Sequence, residues 1–132
     1  TLAWAPMGMT AHVVYTAWDA ERCASVSPRV IADIIRGRIG FDGFLMSDDL
    51  GMQALAGDFT QRARDVVAAG CDVALHCSGA MDEMIAVAAG LEAMSDAAAG
   101  RLARAMATVA DVVPAVTYAE AVEKRDALLA LA

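Results

Sequence analysis

Two adjacent aspartates, Asp48 and Asp49, are the most chemically suggestive feature of this chain, in the run Phe44-Leu45-Met46-Ser47-Asp48-Asp49-Leu50. An apolar stretch that delivers two carboxylates reads as a buried strand with acids at its exit. Successive side chains of an extended chain point to opposite faces, so only one of the pair can face a common site, and the two should have different jobs. A carboxylate held ionised there can be a nucleophile toward an anomeric carbon, passing through an oxocarbenium-like transition state to a covalent glycosyl intermediate. It can equally hold a divalent cation, or merely cap the turn that follows. His12, at the end of an earlier apolar run, can line a pocket, orient the Asp48 carboxylate, or be a hydrogen-bonded packing residue. His76 beside Cys77 suggests a metal ligand or a thiol nucleophile, but no third ligand stands nearby, and packing is the expectation. Trp4 and Trp18 are each able to stack on a sugar ring. Trp18, in the loop beyond the first apolar run, is the better placed, although burial is expected for both.

The elements that must position these residues alternate along the chain. The first segment, about 5–15, ends in the β-prone run Thr10-Ala11-His12-Val13-Val14-Tyr15 and predicts a strand followed by a loop. Ser27-Pro28 supplies an N-cap and a first-turn proline, after which Val30, Ile31, Ile34 and Ile35 give a helix with one buried face, stopping at Gly37 and Gly40, with Arg36 and Arg38 suiting its carboxyl end. Phe41 to Met46 predicts a strand covered on both faces that hands Ser47-Asp48-Asp49 to its exit. A second helix over Thr60 to Ala69 stops at Gly70, a residue suited to a left-handed cap, and Cys71 to Cys77 predicts a third buried strand. Beyond Gly79 come helices over Met81 to Met94 and Ala97 to Val112, then Pro114, then a helix opened by the capping box Thr117-x-x-Glu120. Met81, Met84 and Met94 fall at helical spacing and are expected to pack.

Length and composition bound what such a chain can be. At 132 residues it is one domain or a piece of one, and 58% hydrophobic against 20% charged residues, with mean hydropathy +0.48, excludes intrinsic disorder. Nine arginines and the single Lys124 face 17 acids for a net charge of −7, which argues against binding a phosphate backbone or an anionic membrane. No apolar stretch approaches the roughly 18 residues of a membrane span, and no charged leader precedes the start, so a soluble, cytoplasmic chain is expected. It begins without Met inside the apolar run Thr1 to Ala5, which suggests a piece of a longer protein. Cys23, Cys71 and Cys77 form no C-x-x-C pair, and Cys71 and Cys77 lie too far apart along a strand for a disulfide, so buried thiols are expected.

Strands alternating with helices mean a parallel α/β sheet with right-handed crossovers. A small doubly wound sheet and a run of units from a (β/α)₈ barrel, which takes about 250 residues, both place chemistry at the strand carboxyl ends. Three strands alone would leave two apolar edges unpaired, and that favours the barrel portion.

Ala11-His12-Val13-Val14-Tyr15, Ser27-Pro28 with the segment from Ile35 to Gly43, Ser47-Asp48-Asp49-Leu50-Gly51-Met52 and Ala69-Gly70-Cys71-Asp72 together resemble, in order and spacing over about 5–80, the second half of bacterial β-N-acetylhexosaminidases of glycoside hydrolase family 3. The resemblance implies that residues 1–132 are the carboxyl-terminal portion of a TIM-like (β/α)₈ catalytic barrel. That barrel would remove terminal β-linked N-acetylglucosamine with retention, in cytoplasmic recycling of cell-wall muropeptides. It implies Asp48 as nucleophile and Asp49 in support; His12 and Trp18, from their places at the end of the first strand and in the loop beyond it, are expected near the sugar, and no cofactor or metal is expected. The family's general acid/base is a histidine in a K-H-F-P-G-H-G loop. Neither His12 nor His76 fits that loop, and the family's sugar-gripping residues have no counterpart in these 132 residues. The chain is therefore expected to hold half a site, to be inactive by itself, and to need the rest of the barrel or self-association for stability. Two rivals stand beside this reading. One is a Mg²⁺-binding phospho-receiver module, which would want a lysine after a late strand where this chain has only Lys124 in its last helix. The other is a non-catalytic remnant that associates through its sheet edge.

Overall fold

The computed structural model describes residues 3–109 and 116–131. Its centre is a parallel sheet of three strands, β1 (Met7–Met9), β2 (Phe44–Asp49) and β3 (Val73–Leu75), in the order β1-β2-β3, with Met7 opposite Phe44, Met9 opposite Met46, and Met46 opposite Val73. A 3₁₀ turn (Ala24–Val26) and a π helix (Val30–Arg38) join β1 to β2; α1 (Phe59–Ala69) joins β2 to β3; α2 (Met81–Ala89), α3 (Asp96–Ala107) and α4 (Tyr118–Leu129) follow. Both crossovers bury their apolar faces in one cluster, where Ile31 of the π helix and Ala63 and Val66 of α1 meet Leu45 of β2. Strands placed side by side in chain order, with both connections on one face, are the winding of a (β/α)₈ barrel. Among the described residues the outer edges of β1 and β3 have no strand partner, and Met7 and Met9 are exposed. No described helix is long and apolar enough to cross a membrane.

Local chemistry explains the helix ends. Ser27 Oγ accepts the Val30 amide at the start of the π helix, Asp58 the Gln61 amide at α1, and Ser95 the Ala98 amide at α3. Thr117 and Glu120 close the expected capping box on α4, none of whose residues is buried. Gly70 ends α1 at φ +116°, and a Cβ there would also press on Ile31 Cγ2, so both its backbone angle and its neighbour demand glycine. At Gly90, after α2, a Cβ would collide with the Thr60 carbonyl of α1, while Thr60 Oγ1 donates to the Ala86 carbonyl. The two helices thus approach backbone to backbone.

Several expected boundaries move. The first strand is Met7–Met9 and not the run through Tyr15: beyond Thr10 the chain leaves the sheet, and Val13, Val14 and Tyr15 are exposed. β2 starts at Phe44 and includes Ser47, Asp48 and Asp49 as its last rungs, where an exit was expected. β3 is confined to Val73–Leu75, with Cys71 and Asp72 before it and His76 and Cys77 after it. The first helix is wound with π spacing, the Ile39 amide bonding the Ile34 carbonyl at 2.8 Å. α2 stops at Ala89, short of Met94; the expected end of the next helix at Val112, and Pro114, lie outside the described residues. Met81, Met84 and Met94 are exposed, as is Trp4 at 79%, so none of them packs in this chain. Cys23 and Cys71 are buried thiols as expected, but Cys77 is exposed.

Arg36, expected only to suit a helix end, is instead the hub at the strands' amino-terminal side. Its guanidinium donates to the Phe41 and Gly43 carbonyls and to Asp72 Oδ2 at 2.9 Å. The same Asp72 carboxylate, 5% exposed, accepts the Leu45 amide and Arg101 of α3 at 2.8 Å. One acid therefore ties the π helix, β2, β3 and α3 together. Truncating one member of a buried ion pair leaves its partners' charges uncompensated, so Asp72→Ala is expected to cost about 3 kcal/mol in urea unfolding. Arg104→Ala, whose exposed partner is Asp42, should cost less than about 1 kcal/mol in the same measurement.

Candidate functional site

Three segments converge at the carboxyl ends of the strands: Thr10 and His12 after β1, Ser47 to Asp49 at the end of β2, and His76 and Cys77 after β3. What brings them together is a bulge. Met46 pairs with Val73 and Asp49 with Leu75, so three steps on β2 span two on β3. Ser47, completely buried, fills the break: its Oγ accepts the Leu75 amide at 2.9 Å and donates to the Asp48 carbonyl at 2.8 Å. A side-chain hydroxyl thus replaces a rung of the ladder, and the extra residue is turned out of the pairing.

Asp48 lies in the break beside Ser47. It is half-buried, and its Oδ1 accepts the amide of Asp49 at 2.9 Å. No other protein donor meets its carboxylate among the described residues, which leaves one oxygen open at the strand end. Asp49 is occupied otherwise. Its Oδ1 accepts the Gly51 and Cys77 amides, both at 3.0 Å, and these bonds, the Gly51 amide first, hold its carboxyl below the usual 3.8 against the opposing effect of burial. The two acids hence make different contacts. Asp49 braces the turn from β2 and the start of the loop after β3, while Asp48 is presented. They form no shared cradle for a cation.

His12 orients backbone, not the Asp48 carboxylate. Its Nε2 lies 2.9 Å from the Asp49 carbonyl, which can only accept, so Nε2 carries the hydrogen. In the neutral ring Nδ1 then accepts from Ser25 Oγ at 2.9 Å, and Ser25 accepts from Thr10 Oγ1 at 2.7 Å. The relay pins the end of β2 to the 3₁₀ turn. Trp18, half-buried, tilts against the Tyr15 ring at 5.2 Å in the loop after β1. Asp19 anchors that loop by accepting from Ser27 Oγ and from the Glu21 and Arg22 amides, the Ser27 bond chief among the causes that lower its pKa. Among the described residues no hydrogen bond or ring contact joins Trp18 to the Asp48 group.

His76 is more engaged than expected. Its side chain is 4% exposed and packs on the Phe59 ring, with Nε2 bonded to Glu83 Oε2 and Ser78 Oγ, each at 2.9 Å. Cys77 is exposed, and partial desolvation together with the Asp49 charge holds its thiol above the ordinary value, so it is a weak nucleophile. Burial pushes the Cys71 thiol up to about 12, which makes it inert. Among the described residues no three His, Cys, Asp or Glu groups converge as metal ligands. Sequence reasoning passed over Ser47, Ser25, Ser78 and Glu83. A serine directly after an apolar strand was the one available signal, since an unpaired hydroxyl buried there would be costly. A cavity of about 620 Å³, lined by Arg36, Cys71 and Asp72 among others, holds none of His12, Ser47, Asp48, Asp49 and His76.

Known proteins resemble the chain along most of its length. The sequence profile described as "Glycosyl hydrolase family 3 N terminal domain" matches residues 4–114. A β-hexosaminidase of Chromobacterium violaceum is 51% identical over 81 residues, 58% of this chain and 22% of that protein. The chain spans about a fifth of the length of the curated relatives it matches. Among solved structures, a glycoside hydrolase family 3 β-N-acetylglucosaminidase from a Paenibacillus species superposes with TM-score 0.65 at 29% identity, over 85% of this chain and 24% of that one. NagZ from Neisseria gonorrhoeae in complex with N-trifluoroacetyl-D-glucosamine gives 0.59 at 30% identity, over 77% of this chain and 31% of that one.

Asp49's lowered pKa links it to stability with a definite sign. Its contribution is whole above its ordinary 3.8 and is lost as pH falls through the lower folded value. Asp49→Asn is therefore expected to lower the thermal unfolding temperature at pH 7, and the gap from the unsubstituted chain should close below pH 3.8.

Proposed function

The chain belongs to the glycosyl hydrolase family 3 N-terminal domain family, and from that premise we propose that it supplies the nucleophile, Asp48, of a retaining β-N-acetylhexosaminidase. The observation that carries the reading is the bulge at Ser47, which presents Asp48 with one carboxylate oxygen held by the Asp49 amide and the other open. The open oxygen attacks C1 of a terminal β-linked N-acetylglucosamine as the bond from C1 to the leaving oxygen breaks. That oxygen takes a proton from a general acid, and water then cleaves the glycosyl-aspartate ester, with the same group now acting as base. Asp49 holds the turn and His12 holds the Asp49 carbonyl, so the nucleophile is fixed from both sides.

Support for the sugar comes from the relatives: they are named β-hexosaminidases, and the Neisseria protein was solved with an N-acylated glucosamine. Trp18 is the aromatic residue we place nearest that sugar, in the loop beyond β1. The acid/base histidine of the K-H-F-P-G-H-G loop has no counterpart in the sequence, so we assign it to another part of the barrel, as we do the groups that grip the sugar. Cell-wall muropeptides recycled in the cytoplasm are the substrate and setting that fit such an enzyme.

General acid help alone is worth roughly 10²–10⁴-fold. The 132-residue chain is therefore expected to give no measurable turnover of a chromogenic N-acetylglucosaminide. The full-length enzyme should turn the same substrate over, and its Asp48→Asn form should lose about 10⁴-fold or more in kcat. Full activity in that variant would sink the assignment.

A further inference from the structure

His76 keeps one nitrogen without a partner in a place where that is costly. Glu83 Oε2, 2.9 Å from Nε2, can only accept, so Nε2 carries a hydrogen; Ser78 Oγ bonds both the ring and the same carboxylate. Nδ1 is buried and, among the described residues, unbonded, 3.6 Å from Asp49 Oδ1. That separation is just beyond a hydrogen bond, and Phe59 packs on the ring with centroids 4.8 Å apart. The ring thus stands between two carboxylates, Glu83 at Nε2 and Asp49 at Nδ1. The Asp49 on the far side of the gap is the residue whose amide holds Asp48. A chain of contacts therefore runs from Glu83 on α2, through His76 after β3 and Asp49, to Asp48.

We propose that His76, seated by Glu83 and Ser78, is a positioning residue for glycosyl transfer: through Nδ1 it restrains Asp49, whose amide in turn aims the Asp48 carboxylate at C1. The role rests on Asp48 being the nucleophile. His76 touches neither sugar nor reacting atoms, and its effect falls on the rate of attack, with substrate binding left to other groups.

Two substitutions in the full-length enzyme separate the arms of the ring. In His76→Asn the amide nitrogen falls near the position of Nδ1 and keeps the reach to Asp49; in His76→Gln it extends to the position of Nε2 and keeps Glu83 instead. Small displacements of reacting groups cost up to about 100-fold, so His76→Gln is expected to lower kcat about 10-fold with KM within about twofold, while His76→Asn stays within about threefold of the unsubstituted enzyme. The rate at which a 5-fluoro N-acetylglucosaminyl fluoride labels the enzyme, read by peptide mass spectrometry, should fall in parallel with kcat. Equal kcat in the two variants, whether both active or both impaired, overturns the proposal. Glu83→Gln, which leaves the ring in place but loosens its seat, gives a second measurement should either variant fail to fold: an unchanged kcat there overturns it too. A label on a side chain other than Asp48 in the unsubstituted enzyme removes the nucleophile assignment itself. A label on Asp48 that forms as fast in His76→Gln as in the unsubstituted enzyme removes only the positioning role.

Discussion

A serine hydroxyl in place of a backbone rung is the interaction on which the site depends. Ser47 Oγ takes the Leu75 amide and gives its own hydrogen to the Asp48 carbonyl, so β2 gains a residue against β3 without leaving a buried polar group unpaired. A regular ladder would keep Asp48 in the pairing. The register shift places Asp48 inside the break, and the groups near it hold that geometry. Asp49 clamps the amides of Gly51 and Cys77, and His12 holds the Asp49 carbonyl from the β1 side.

The two ends of the sheet divide their labour. At the amino-terminal side one buried acid, Asp72, gathers Arg36, Arg101 and the Leu45 amide, and the groups there are consumed by one another. At the carboxyl side, among the described residues, an oxygen of Asp48 and a buried nitrogen of His76 are left without a hydrogen bond. Unspent bonding capacity in an otherwise satisfied network is where chemistry has room to occur. This separation of stabilising from reactive ends is the general habit of parallel α/β barrels.

The alternation of strands and helices and the caps at Ser27, Gly70 and Thr117 were legible in the sequence, because each follows from local rules of spacing and backbone angle. Strand limits were not. Val13, Val14 and Tyr15 have strand-forming side chains, yet Thr10 and His12 bond Ser25 and Asp49 and carry the chain out of the sheet. The methionines and Trp4 were misjudged because periodicity tells which residues share a face and says nothing about whether this chain supplies a cover for it. Arg36 looked like a residue answering a helix dipole, and only the fold brings Asp72, far along the sequence, against it. His76 was beyond reach for the same reason: its partners Glu83, Phe59 and Asp49 come from three separate elements.

The close approach of α1 and α2 at Gly90 reaches further than packing. α2 carries Glu83, and the distance between the two helices at the Thr60 carbonyl sets where that carboxylate stands. Even a methyl group at position 90 would lever α2 outward and draw Glu83 off the imidazole. A lesion at this inconspicuous glycine would therefore be felt at the other end of α2, although the residue has no side chain to contribute.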